Sequence, residues 1–354
     1  MVVSCNKQDR REIKIGAVLP LTGDIASYGN NAKKGIDLAL EQINASNDFK
    51  VKIAVEYQDS KGNAKEAVTI MNKFCSINRY PAVIGEAASS VSLAIAPIAN
   101  RYQVVQISPI SSSPELTTKG GDYFFRVCPS DAYQAVILAK WMRELNINNV
   151  GILYVNNSWG VSLKDQFVKE FGALGGQIAG IESCNEGDRD FRTQLTKLIA
   201  ANPDAIYSPT YGKEGGLILK QTKELGYNKS VFGSDVWSSP ELITSAGDAA
   251  EGVRLVKPAI FQGADYKTFR DFFYAKYNEE PDIYAGYSYD IAMILAKAYN
   301  ESYNSNLNLR DYLLTMPLYY GATGETKFDG NGDCNTKPFE RQQIMDGKYN
   351  SINK

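Results

Sequence analysis

Apolar positions in this chain switch period repeatedly along its length. Ile13-Lys14-Ile15-Gly16-Ala17-Val18-Leu19 is a nearly unbroken apolar run closed by Pro20, which predicts a buried strand. Ala32, Ile36, Ala39, Leu40 and Ile43 then recur at helical spacing, and Val51, Ile53, Val55 and Tyr57 alternate as a half-buried strand does. The same exchange continues through a helix over 64–74, a strand over 82–85, a helix over 89–100 with Pro97 as its weak point, and a strand over 104–107.

After a break around Pro129 the alternation restarts. Helices are predicted over 131–145, 161–174, 190–201 and 213–225, with Asp131 as the N-cap of the first. Strands are predicted over 150–155, 177–183, 205–208 and 230–233. Two long helical patterns follow Lys257, over 266–277 and 284–303, and then a short β-rich tail with turns at Asp329-Gly330 and Asp346-Gly347. Strands alternating with helices build βαβ units and mostly parallel sheets. Two runs of similar length therefore predict an α/β fold of two doubly wound parallel-sheet lobes. The absence of a low-complexity linker predicts short crossovers that act as a hinge.

In such sheets ligands bind beyond the carboxyl ends of the strands, which directs attention to six loops. Gly85-Glu86-Ala87-Ala88-Ser89 leads into a helix, where backbone N–H groups and hydroxyls suit an anion; simple serine capping explains the same residues. The loop from Ile107 to Glu115 is rich in Ser and Pro, with hydroxyls and carbonyls for either charge. Trp159 and Tyr211 stand at strand ends, each placed to cover a ligand or to pack on its own lobe. Asp235, in Gly233-Ser234-Asp235-Val236-Trp237, reads as a turn or cap residue or as the counter-charge of an ammonium. Tyr28 lies in the loop before the first helix.

Composition narrows the chemistry. The chain has 38 Lys plus Arg against 40 Asp plus Glu, which argues against a nucleic-acid surface. It has no histidine, so the commonest general base and metal ligand are missing. No Walker loop, GxGxxG, GxSxG or zinc spacing appears, and Asp329-Gly330-Asn331-Gly332-Asp333 lacks the twelve-residue calcium spacing, so a β-turn is expected there. No enzyme activity, metal or cofactor is therefore expected. No stretch approaches the roughly 18 apolar residues of a membrane-spanning helix. Among the five cysteines, Cys75, Cys128, Cys184 and Cys334 lie far apart and read as free thiols or as one disulfide. Val2-Val3-Ser4-Cys5 resembles the end of a lipobox, with Cys5 the lipidated residue and a polar tether after it.

Taken together, these segments resemble the type I periplasmic binding proteins of branched-chain amino acid ABC transporters, the leucine/isoleucine/valine-binding family. The resemblance covers roughly residues 12–352. It rests on Ile13 through Gly23, on Ser108-Pro109 through Thr117, on Phe125-Arg126-Val127 with Asp131 and Gln134, and on Phe328 through Asp333, in that order and spacing. It implies one lobe of 12–130 plus 259–336, another of 131–258 plus 337–354, and a lipid-anchor tether over 1–11. It implies that Ser89 binds a ligand carboxylate and that Ser112 contacts carboxylate and ammonium. The Ile110 carbonyl and Asp235 would receive the ammonium. Tyr28, Trp159 and Tyr211 would enclose the ligand, and Ala87, Ala88 and Tyr284 would line its side-chain pocket.

Two departures qualify the likeness. Asp235 stands where the family often has Glu, one methylene longer, and Ala87-Ala88 are smaller than the usual pair. The implied function is extracytoplasmic capture of an amino acid, aliphatic first, by hinge closure of a monomer that delivers it to an ABC transporter permease. The alternative is a sensory or regulatory binder of the same fold for amides, urea or aromatic acids.

Overall fold

The computed structural model describes residues 10–306 and 308–352; Cys5 and most of the tether lie outside these residues. The chain divides into two compact units. The first holds the described residues up to Ser111, Leu116–Cys128 and Ile260–Thr336, and the second holds Ser112–Glu115, Pro129–Ala259 and the described residues from Lys337.

In the first unit, β1 (Arg11–Leu19), β2 (Val51–Asp59), β3 (Ala82–Gly85), β4 (Val105–Ser108) and β5 (Phe124–Arg126) form one sheet in the order β2-β1-β3-β4-β5. Every pairing in it is parallel. An interior parallel strand is covered on both faces, which is why β1 reads as an apolar run rather than an alternation. Ile15, Ile84, Ile107 and Phe125 of the sheet share one core with Ile36 of helix Ala26–Ala45 and with Ile291 and Leu295 of helix Ile283–Glu301. Those two helices approach so closely that a Cβ at Gly35 would lie 2.0 Å from the Ala285 carbonyl oxygen. A hairpin of β11 (Tyr319–Gly321) and β12 (Gly324–Thr326) is held by buried Asp290, whose carboxylate accepts from the Ala322 and Thr323 N–H groups at 2.8 and 2.9 Å.

A buried ion pair ties the crossover of this unit together. Arg126 donates to Asp333 at 2.6 Å, and Thr117 bridges the pair, accepting from Arg126 at 2.7 Å and donating to Asp333 at 2.6 Å. The turn leading into Asp333 is closed by Asp329, which accepts from the N–H groups of Asn331 and Asp333 at 2.8 and 3.0 Å.

In the second unit, β6 (Asn149–Val155), β7 (Gln177–Cys184), β8 (Ala205–Ser208), β9 (Ser230–Gly233), β10 (Arg254–Pro258), β13 (Phe339–Met345) and β14 (Lys348–Ser351) form a sheet in the order β14-β13-β10-β9-β8-β6-β7. β13 runs antiparallel to both neighbours, and the other pairings are parallel.

Several local expectations are corrected. Ser130, not Asp131, is the N-cap of helix Asp131–Glu144, its hydroxyl accepting from Ala132 N–H at 3.4 Å, and Asp131 is the first helical residue. Helix Ser89–Tyr102 runs through Pro97 without a break. Strands β5, β10 and β14 are not among the predicted strands. Cys75, Cys128, Cys184 and Cys334 are buried free thiols, which settles the choice left open above.

Candidate functional site

The strand order locates the switch points. In the first unit the order reverses between β1 and β3, and in the second between β6 and β8. Loops leaving neighbouring strands diverge there, so open space and backbone ends coincide. The connections after β3 carry Ala87, Ala88 and Ser89, and those after β6 and β8 carry Trp159 and Tyr211.

In the first unit, helix Ala26–Ala45 begins early enough to place Tyr28 in its first turn rather than in the preceding loop. Tyr28 is buried and meets Tyr284 edge to face, with ring centroids 5.6 Å apart and planes at 83°. Asp59, at the end of β2, fixes the loop after β1. Its carboxylate accepts from Leu21 N–H at 2.9 Å, Thr22 N–H at 3.3 Å and the Thr22 hydroxyl at 2.6 Å. Burial pushes this carboxyl up, but the Thr22 hydroxyl and the surrounding N–H groups outweigh it and hold the pKa below the ordinary aspartate value.

The loop after β3 is buried throughout. Ala87, Ala88 and Ser89 are 7%, 8% and 3% exposed, and helix Ser89–Tyr102 opens at Ala88 with no side-chain cap. The serine-capping explanation thus fails for this helix. Glu86 supplies a different support. Its carboxylate accepts from the Ser60 hydroxyl and from Ala88 N–H, both at 2.5 Å. Its backbone carbonyl accepts from the hydroxyls of Ser92, Ser108 and Ser111 at 3.2, 2.6 and 2.9 Å. Ile110 follows this cluster, half-buried, its N–H donating to the Ser108 hydroxyl at 3.2 Å.

In the second unit, Trp159 occupies the first turn of helix Ser158–Ala173 and Tyr211 the N-cap position of helix Gly212–Glu224. Their rings stack, with centroids 5.1 Å apart and planes at 13°. Asn157 sets both: its side-chain oxygen accepts from Gly160 N–H at 2.9 Å, and its amide donates to the Tyr211 hydroxyl at 3.1 Å. The helix can begin so close to β6 because Gly160 has no Cβ, which would lie 2.1 Å from the Val155 carbonyl oxygen.

Ser112, implied with the first lobe, falls in the second unit. Its hydroxyl donates to Asp131 at 2.7 Å, and the Asp131 carboxylate also accepts from Gln134 at 3.4 Å. Asp235 opens a single 3-10 turn after β9. Its Oδ1 is buried and has no hydrogen-bond partner among the described residues. Burial raises the Asp235 pKa, against the opposing pull of Gln134 and of the Lys257 charge. Burial likewise raises that of Tyr207, which feels the charges of both Asp131 and Asp235. Buried Ser112, Asp131, Gln134 and Tyr207 and half-buried Asp235 therefore form one acidic cluster, of which sequence reading had singled out Ser112 and Asp235 as ligand groups. Glu86 and Tyr207 were missed as site residues because burial of a polar side chain leaves no periodic signal.

The family model described as periplasmic binding protein matches residues 12–348. A Leu/Ile/Val-binding protein homolog 2 of Brucella abortus is 28% identical over 354 residues, covering 97% of this chain and 94% of the relative. The crystal structure of a leucine binding protein LivK from Thermotoga maritima superposes with a TM-score of 0.88 at 28% identity, covering 96% and 98% of the two chains. The branched-chain amino acid transporter substrate binding protein LivJ of Streptococcus pneumoniae, in complex with isoleucine, gives 0.87 at 28% identity over 97% and 99%. Among the described residues, no helix is long and apolar enough to cross a membrane and no cluster of side chains is arranged to hold a metal ion.

Proposed function

We propose that this chain, which belongs to the periplasmic binding protein family, captures an α-amino acid outside the cytoplasm and delivers it to the permease of an ABC transporter. The observation that carries the reading is the Oδ1 atom of Asp235, buried and without a hydrogen-bond partner among the described residues. A carboxylate oxygen buried without a donor is costly, and an ammonium group is the ligand chemistry that relieves it. Nearby, Asp131 accepts from Ser112 and Gln134, while the Gln134 side-chain oxygen and the Tyr207 hydroxyl share with the Asp235 Oδ1 the lack of a hydrogen-bond partner among the described residues.

The carboxylate end of the ligand is assigned to the first unit. Ser89 opens a helix that has no side-chain cap, and a helix N-terminus favours a negative charge. The side chain is assigned to apolar surface: Ala87, Ala88, Tyr28 and Tyr284 in the first unit, and the stacked Trp159 and Tyr211 in the second. Apolar residues of this kind suit an aliphatic side chain, in keeping with the leucine and isoleucine in the names of the two structural relatives. Ile110 is assigned a carbonyl for the ammonium, and Ser112 acts through Asp131 in this reading.

Isothermal titration calorimetry with leucine, isoleucine and valine, and with the des-amino acid of leucine, tests the proposal. Saturable binding of at least one amino acid is expected, with the des-amino analogue bound far more weakly. Equal affinity for leucine and its des-amino analogue overturns the assignment of Asp235. We also infer lipid anchoring through Cys5 and a monomeric state; labelling with a fatty-acid analogue in a bacterial host, lost on Cys5→Ser, and light scattering check the two.

A further inference from the structure

The loop after β3 contains a fully buried carboxylate, Glu86, three residues before the serine assigned to the ligand carboxylate. Its contacts come from every element that meets there. The end of β2 supplies the Ser60 hydroxyl, and the start of the next helix supplies Ala88 N–H. The helix itself supplies Ser92, and β4 with the segment after it supplies Ser108 and Ser111, all three on the Glu86 carbonyl oxygen. Ser92 and Ser111 also bond each other, at 2.7 Å.

The charged groups around it are few. Asp59 adds a like charge from β2, held ionised by the loop after β1. The guanidinium of Arg126 meets the Ser111 carbonyl at 3.4 Å and pairs with Asp333. No histidine exists in the chain. Among the described residues a negative Glu86 has hydroxyl and N–H donors and no ion pair, and it engages Ala88 N–H at the same helix start that would hold a second carboxylate.

We propose that Glu86 is a positioning residue for the Ser89 loop whose protonation is coupled to ligand capture, so that binding of a carboxylate at Ser89 draws one proton from solvent onto Glu86. The inference rests on the assignment of the ligand carboxylate to Ser89. The proton adds to the Glu86 carboxylate, and no other bond is made or broken. The neutral acid suits the same geometry: one oxygen keeps Ala88 N–H, and the other donates to the Ser60 oxygen, whose hydroxyl turns away.

Burial raises the Glu86 pKa to about 7, with Asp59 adding to the rise and Ser60, Ala88 and Ala87 opposing it. A ligand carboxylate nearby raises it further. Proton uptake is then largest just above neutrality, and affinity climbs as pH falls through that window and levels below it.

The test uses the intact chain and leucine. Calorimetry is run at about pH 6, 7, 8 and 8.5 in buffers of different ionisation enthalpy, on the wild type, Glu86→Gln and Glu86→Ala. The wild type is expected to bind at least about threefold more tightly at the low end of this range, within the limit of roughly tenfold per pH unit for one proton. Its apparent enthalpy should depend on the buffer. Glu86→Gln, neutral and nearly isosteric, should bind at least as well as the wild type at high pH, without the extra pH dependence or buffer dependence. Glu86→Ala, which loses the Ser60 and Ala88 contacts, should bind more weakly at every pH. Leucine binding with identical pH and buffer dependence in wild type and Glu86→Gln overturns the inference while leaving the amino-acid reading intact. Absence of amino-acid binding at every pH overturns both.

Discussion

Replacing Asp235 by Asn should weaken amino-acid binding and, at the same time, stabilise the ligand-free protein. The two effects have one cause. Half-buried Asp235 sits beside buried Asp131, Gln134 and Tyr207, and its Oδ1 is buried and lacks a partner among the described residues. Burial raises its pKa, which means that the folded state binds the proton more tightly than the unfolded chain does. The sign follows: stability is lost as pH rises from the unfolded aspartate value through the folded one, and the loss persists at neutrality. Asparagine carries no charge and removes that penalty.

For binding, truncating one partner of a buried hydrogen-bonded charge pair costs about 2–5 kcal/mol, or roughly 30-fold to a few thousand-fold in Kd. Thermal denaturation without ligand and calorimetric titration with leucine measure the two arms on one preparation. A ligand-free Tm that is unchanged or higher, together with a large rise in Kd, is the expected result. A variant that binds leucine as well as the wild type, or one whose ligand-free Tm falls sharply, refutes the reasoning.

Other consequences follow from the packing. Asp333→Ala removes a buried carboxylate from the Arg126 guanidinium and should destabilise the protein in urea denaturation, by up to about 3–5 kcal/mol, because Asp333 accepts from Arg126 and Thr117 bonds both. Gly160→Ala places a Cβ 2.1 Å from the Val155 carbonyl oxygen, so helix Ser158–Ala173 must shift. A loss of roughly 1–3 kcal/mol is expected, along with altered fluorescence from neighbouring Trp159. The four buried thiols should react slowly with a disulfide reagent in the native protein and at once in denaturant; burial pushes the pKa of Cys75 to about 11 and that of Cys184 to about 12, which leaves little thiolate at neutral pH.

The repeating exchange of strand and helix periods was legible in the chain itself. A parallel strand covered on both faces must be apolar along its length, and the helix over it must be apolar at every third or fourth position; β1 and helix Ala26–Ala45 each display one of these patterns. The loops at the strand ends were equally readable, and so was the family likeness, because ordered motifs are a one-dimensional property. The missing histidine narrowed the chemistry without any coordinates.

Other features were decided in three dimensions. Strand order set the switch points at β1/β3 and β6/β8, and order depends on contacts far apart in sequence. Tyr28 and Trp159 moved from loops into first helical turns because the helices start earlier than their apolar periods do. Ser112 turned to Asp131, and the helix at Ser89 was supported by Glu86 instead of a serine cap. A polar residue carries no mark in the sequence that tells whether water or protein will surround it. Glu86 and Asp235 look like surface loop acids until the packing of residues remote in the chain removes all of Glu86 and the Oδ1 of Asp235 from solvent, and that desolvation is what gives each its chemistry.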